Sequence, residues 1–211
     1  MSELVDTLKE VLREHCELVS PFLKSGKSSQ RSHVFLGTKG YIDQPVFNRH
    51  GTDKLQPCLL SAVYNRLYPA KHFRVNENDD KLPLFEHYRI DCIYCGPRIL
   101  GKGRFPVEWT NDYLIEVENN LLEFRMTLRA LLDVIAKKRV AIFFRNSPDA
   151  VNLSEQFLST WHSYRSAFPG DSDPNLEAVF FPEDFANIDT YLNNMRRFIW
   201  DVKDLCFRAA N

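Results

Sequence analysis

Apolar positions recur at three- and four-residue steps from the start of the chain: Leu4, Val5, Leu8, Val11, Leu12, Leu18, Val19 and Phe22. With Ser2 placed to cap it, that spacing predicts a helix over 2–24. Lys24 to Arg31 (KSGKSSQR) is small, polar and basic and reads as a loop. A short strand is expected at Val34-Phe35-Leu36, among the breakers Gly37, Gly40, Pro45 and Gly51. Pro57 then opens a helix over 57–68, stopped by Pro69.

The pattern changes at Leu84 to Tyr94 (LFEHYRIDCIY), where β-branched and aromatic residues run up to Gly96-Pro97 and predict a strand. Asp112 to Glu118 (DYLIEVE) predicts a second strand, and Asn119-Asn120 a turn. A helix over 121–137 follows, with Leu121, Leu122, Phe124, Leu128, Leu131, Leu132 and Ile135 as its apolar stripe. Lys137, Lys138 and Arg139 close it, as the helix dipole prefers. Val140 to Phe144 (VAIFF) is a continuous apolar run, the signature of a strand buried on both faces. Further on, a helix is expected over 153–168 and a strand over 178–181. A long helix is expected over 185–207, striped by Ile188, Tyr191, Leu192, Met195, Ile199, Val202 and Cys206. This order predicts an α/β protein: a mixed sheet flanked by helices, with helical additions at both ends.

Composition bounds the function more than it defines it. The 211 residues are 44% hydrophobic and 26% charged, which excludes a disordered chain and suits one domain over 1–211. With 27 basic and 28 acidic residues, a strongly basic nucleic-acid coat is excluded, though a local basic groove is not. No apolar run approaches the roughly 18 residues of a membrane span, so no membrane partner is expected. The acids within Met1 to Glu10 argue against a secretory signal, and five scattered cysteines make no disulfide framework. A cytoplasmic, reduced setting is the expectation.

Several motifs fall short of the chemistry they imitate. Gly26-Lys27-Ser28 has the ending of a phosphate loop but follows a predicted helix. Gly96 to Lys102 follows a strand, but Gly103 replaces the metal-binding hydroxyl and Pro106 interrupts the helix required next. Cys92 and Cys95, three apart in a predicted strand, point to opposite faces and lack a second ligand pair.

The acids in the predicted strands make a stronger pattern. Asp91 stands between Ile90 and Cys92-Ile93, while Glu116 and Glu118 share one face of the next strand, roughly 7 Å apart. Facing carboxylates repel and are expensive to bury, and a hard divalent cation relieves both problems. The plain alternative is a wet strand face with polar residues at alternate positions.

Strand with Asp91, strand with Glu116-Val117-Glu118, helix 121–137 and buried strand 140–144 together resemble the core of the PD-(D/E)XK nuclease superfamily, the restriction-endonuclease-like fold. The resemblance covers about residues 55–145, with helix 57–68 as the helix that opens the core. It implies Mg²⁺ (or Mn²⁺) held by Asp91, Glu116 and the carbonyl of Val117, and DNA as the substrate of a deoxyribonuclease. It assigns Asp91, Glu116 and Glu118 as catalytic, with Glu86 where some members add an acid. Glu118 stands where the family usually has Lys, and Ile90 where it has Pro. Arg125 is the candidate to supply the missing positive charge, and its plain reading is a solvated helix-face residue. A catalytically degenerate relative that binds nucleic acid or a protein partner is the alternative. Arg98, Lys102 and Arg104, in the loop joining the acidic strands, are the expected phosphate contacts. Lys71, His72 and Arg74, and later Arg196-Arg197, would extend a groove. Restriction-like enzymes often act as dimers, so a homodimer is a further expectation; the 185–207 stripe reads first as core and second as a dimer seam.

Overall fold

Helical periodicity dominates the first part of the chain, and strands alternate with helices in the rest. The structure, a computed structural model, describes residues 3–24, 28–36, 47–48, 55–56, 58–68, 84–87, 90–95, 111–118, 124–167 and 173–210. The chain divides into two compact units: Met1–Pro83 with Pro182–Met195, and Leu84–Phe181 with Arg196–Asn211. The described helices are α1 (Glu3–Glu14), α2 (Cys16–Lys24), α3 (Ser28–Leu36), α4 (Leu59–Leu67), α5 (Phe124–Leu132), α6 (Ala150–Ala167) and α7 (Ile188–Asn193). The strands are β1 (Phe47–Asn48), β2 (Leu55–Gln56), β3 (Leu84–His87), β4 (Ile90–Cys95), β5 (Asn111–Glu118), β6 (Lys138–Phe144), β7 (Leu176–Phe181), β8 (Arg196–Asp201) and β9 (Cys206–Ala209).

The first unit holds α1 to α4, α7 and the short antiparallel pair β1–β2. The helix expected over 2–24 is two helices interrupted at His15, and Pro21 inside α2 removes one N–H from its ladder. α1 buries Leu4, Val5, Leu8, Val11 and Leu12 and packs on α4, with Arg66 reaching Glu14 at 3.0 Å. The expected loop through Arg31 and the strand at Val34-Phe35-Leu36 are replaced by α3. Arg31, Val34 and Phe35 sit at helical spacing and are all buried, so period 3.6 wins over the short β-like run.

The second unit is an open mixed sheet in the order β3-β4-β5-β6-β7-β8-β9. β3, β4 and β5 form an antiparallel meander; β5–β6 and β6–β7 are parallel; β8 and β9 return antiparallel. The three strands expected around 85–94, 112–118 and 140–144 thus lie in one sheet. The crossover from β5 to β6 carries α5, whose Phe124, Leu128 and Leu131 are fully buried, and α6 links β6 to β7. The expected 84–94 strand is instead the pair β3 and β4, with His87 opposite Ile90. No Gly, Pro, Asn or Asp marks that reversal between His87 and Ile90, so the residues read as one apolar run.

Side chains on one face of this sheet fit the crossover helices. Phe143 stacks on Phe180 at 4.9 Å and meets Phe124 of α5 at 5.3 Å. In the neighbouring row the small Ala141 and Ala178 stand side by side. Phe157 of α6 packs edge-on to Trp200 at 4.7 Å and against Phe207 at 5.6 Å. Each such ring, fully buried, stabilises by about 1.5–3 kcal/mol.

The long helix expected over 185–207 is the main correction. Only α7 is helical there, opened by Asn187, whose Oδ1 accepts the Thr190 N–H at 2.9 Å. From Arg196 the chain becomes the β8–β9 hairpin, because Phe198 and Trp200, two apart, find an aromatic layer to join. Asp201 fixes the turn by accepting the N–H groups of Lys203 and Asp204 at 2.8 and 3.2 Å. The stripe once readable as a dimer seam is therefore split between a helix and a hairpin. Helix 121–137 is helical only over Phe124–Leu132 among the described residues. Its end is closed from β6, where the buried Arg139 donates to the carbonyls of Leu131, Val134, Ala136 and Pro174 at 2.8, 3.0, 3.3 and 2.7 Å. No described helix is long and apolar enough to cross a membrane.

Candidate metal centre

Register brings the acids together. Cys92 pairs with Ile115 and Ile93 with Leu114, so one step further along the antiparallel ladder Asp91 stands opposite Glu116. The same ladder in β3–β4, between Phe85↔Cys92 and His87↔Ile90, places Glu86 opposite Asp91. Glu116 lies beside Ala141 in the parallel partner, and Glu118 beside Phe143.

Asp91 is half-buried and Glu116 is buried, with 9% of its surface exposed. The Val117 N–H donates to Asp91 Oδ2 at 2.8 Å, which fixes the carboxyl across the strand pair. Burial holds the Asp91 carboxyl above the ordinary carboxylate range; the Val117 N–H and a side-chain hydrogen bond with Glu116 pull the other way. Two carboxyl groups set opposite one another repel when both are ionised, and a divalent cation between them would relieve that repulsion.

The structure thus brings Asp91 and Glu116 together, but it does not gather a trio. Among the described residues no three His, Cys, Asp or Glu side chains cluster to hold a metal ion. Glu118 is two residues beyond Glu116 at the end of β5, half-buried, and the acid in direct register with the pair is Glu86. Val117 turns its side chain to the opposite, buried face, leaving its peptide between β4 and β6. Arg125 is exposed in the first turn of α5. Arg98, Lys102 and Arg104, expected as phosphate contacts, lie outside the described residues, as do Lys71, His72 and Arg74. Arg197 is buried and held by Glu177 of β7, so it adds nothing to a groove.

A Mg²⁺ site of one or two carboxylates that keeps several waters matches this donor set. Asp91 and Glu116 are hard oxygen ligands on adjacent rigid strands, and the Val117 N–H already orients one of them. Cys92, by contrast, is buried and is not brought into the acid row, so no soft thiolate set forms with it.

No family model, curated protein or solved structure matches the chain.

Proposed function

We propose that the chain is a metal-dependent phosphodiesterase that cleaves DNA, built on a restriction-endonuclease-like core. The observation that carries this reading is the directly opposed Asp91–Glu116 pair on adjacent strands, followed at once by the parallel β5–α5–β6 crossover. Along the chain, α4, β4, β5, α5 and β6 follow in the order that the sequence resemblance implies, with β3 added before β4.

Asp91 and Glu116 would hold Mg²⁺ or Mn²⁺, with the Val117 carbonyl as a further ligand. The bound ion would supply Lewis acidity and a water of lowered pKa. The Val117 N–H fixes the Asp91 carboxyl across the strand pair, so one ligand would be oriented before the ion arrives. Glu118, two residues along the same face, would position the attacking water or a second ion.

The test is cleavage of single- and double-stranded DNA in Mg²⁺ and Mn²⁺. Asp91→Asn and Glu116→Gln should each abolish it while the variants stay folded. Wild-type protein without cleavage in either metal refutes the enzyme, as do variants that cut like wild type. A second reading, a nuclease-like protein that binds DNA without cutting it, draws on one observation: Glu118 replaces the usual Lys.

A further inference from the structure

With Glu118 in the usual Lys position, the proposed site still needs a cation to meet the phosphate. β5 ends at Glu118 and β6 at Phe144, and the two run parallel as hydrogen-bonded neighbours with Glu118 beside Phe143. Arg145 is the first residue past β6, so it stands at the same carboxyl end as Glu118. Asp91 comes to that end as well, at the start of the antiparallel β4. Strands about 4.8 Å apart and a step of two residues put the Arg145 Cα roughly 8 Å from that of Glu118. That is close to the length of an Arg side chain. In open α/β sheets, the crevice outside the carboxyl ends of parallel strands is where ligands bind.

The same edge continues outward. Glu118, Phe143, Phe180 and Arg196 form one row across β5, β6, β7 and β8. Arg196 is exposed and lies about 10 Å, two strand spacings, from the Arg145 strand. Arg197, one residue on, turns to the other face and is held by Glu177, so the Arg196-Arg197 run gives this edge one cation.

We infer that Arg145 and Arg196 are phosphate-contact residues for duplex DNA, Arg145 at the phosphate held by the acid pair and Arg196 further along the backbone. This rests on reading Asp91–Glu116 as the metal site. The test measures binding of a DNA duplex by the full chain in Ca²⁺ as salt is raised, with Mn²⁺ affinity measured in parallel. Arg145→Gln and Arg196→Gln should each weaken binding at all sequences alike and lower the salt slope by about 0.9. Arg145→Lys should keep the slope, and all three should keep wild-type Mn²⁺ affinity. Slopes equal to wild type in the Gln variants, or Arg145→Lys losing as much as Arg145→Gln, would overturn the inference. Wild-type protein that binds no duplex would overturn it too. Arginine-dependent binding without cleavage in Mg²⁺ would support this surface and sink the nuclease reading alone.

Discussion

Replacing Asp91 by Asn should change the pH dependence of stability in the metal-free protein. Burial raises the folded-state pKa of Asp91, so the folded protein holds that proton more tightly than the unfolded chain does. Stability from this group is fully present below the ordinary Asp value of about 3.9 and is lost as pH rises through the raised folded value. The loss can be as steep as about 1.4 kcal/mol per pH unit for one proton. Asn keeps an oxygen to accept the Val117 N–H, bonded at 2.8 Å in the wild type, but has no proton to gain or lose, so it forgoes the stability that the tightly held proton gives at low pH. The variant should therefore be slightly less stable than wild type near pH 4 and equal or more stable above neutrality. Urea unfolding in EDTA across pH 4–8 checks this, followed by the fluorescence of Trp161 and Trp200, which are buried in the unit that holds the pair. Saturating Mg²⁺ should reverse the slope for wild type alone, because the ion binds the deprotonated acids. An Asp91→Asn protein with the wild-type pH slope in EDTA would refute this reasoning.

Arg139→Leu removes the guanidinium that closes α5 and leaves the carbonyls of Leu131, Val134 and Pro174 short of a donor, so a loss of about 3–5 kcal/mol is expected in denaturant titration. Arg197→Leu should cost about 3–5 kcal/mol by stranding the buried Glu177, whereas Glu177→Leu with Arg197→Leu should return to within about 1–2 kcal/mol of wild type; thermal melts of the three proteins decide. Glu118→Lys restores the residue usual in the resembled family and should raise the single-turnover cleavage rate in Mg²⁺ if one ion suffices; a lower rate would assign Glu118 to a second ion.

The sheet was legible where the chain has strong local signals. The apolar run 140–144 and the helical stripe of Phe124, Leu128 and Leu131 predicted a buried strand and its packed helix. The other end misled. Tyr191, Met195, Ile199, Val202 and Cys206 fit a helical stripe, whereas Phe198 and Trp200 form a strand, and that choice is made by Phe180 and Phe157, distant partners invisible to local periodicity. Asp91 and Glu116 were recognisable as polar residues in apolar strands, but their direct opposition depends on a register set by the whole meander. Arg145 was missed because nothing in its local sequence sets it apart; it gains meaning only when β5 and β6 lie side by side. Arg197 shows the reverse, a basic residue that reads as groove and proves to be held inside by Glu177.

The central claim is that Asp91 and Glu116 hold a divalent cation. Crystals soaked in Mn²⁺ and measured at the manganese edge test it most directly. The account predicts an anomalous peak bridging the two carboxylates, lost in Asp91→Asn crystals treated in the same way. Wild-type crystals with no peak there at saturating Mn²⁺ would contradict it.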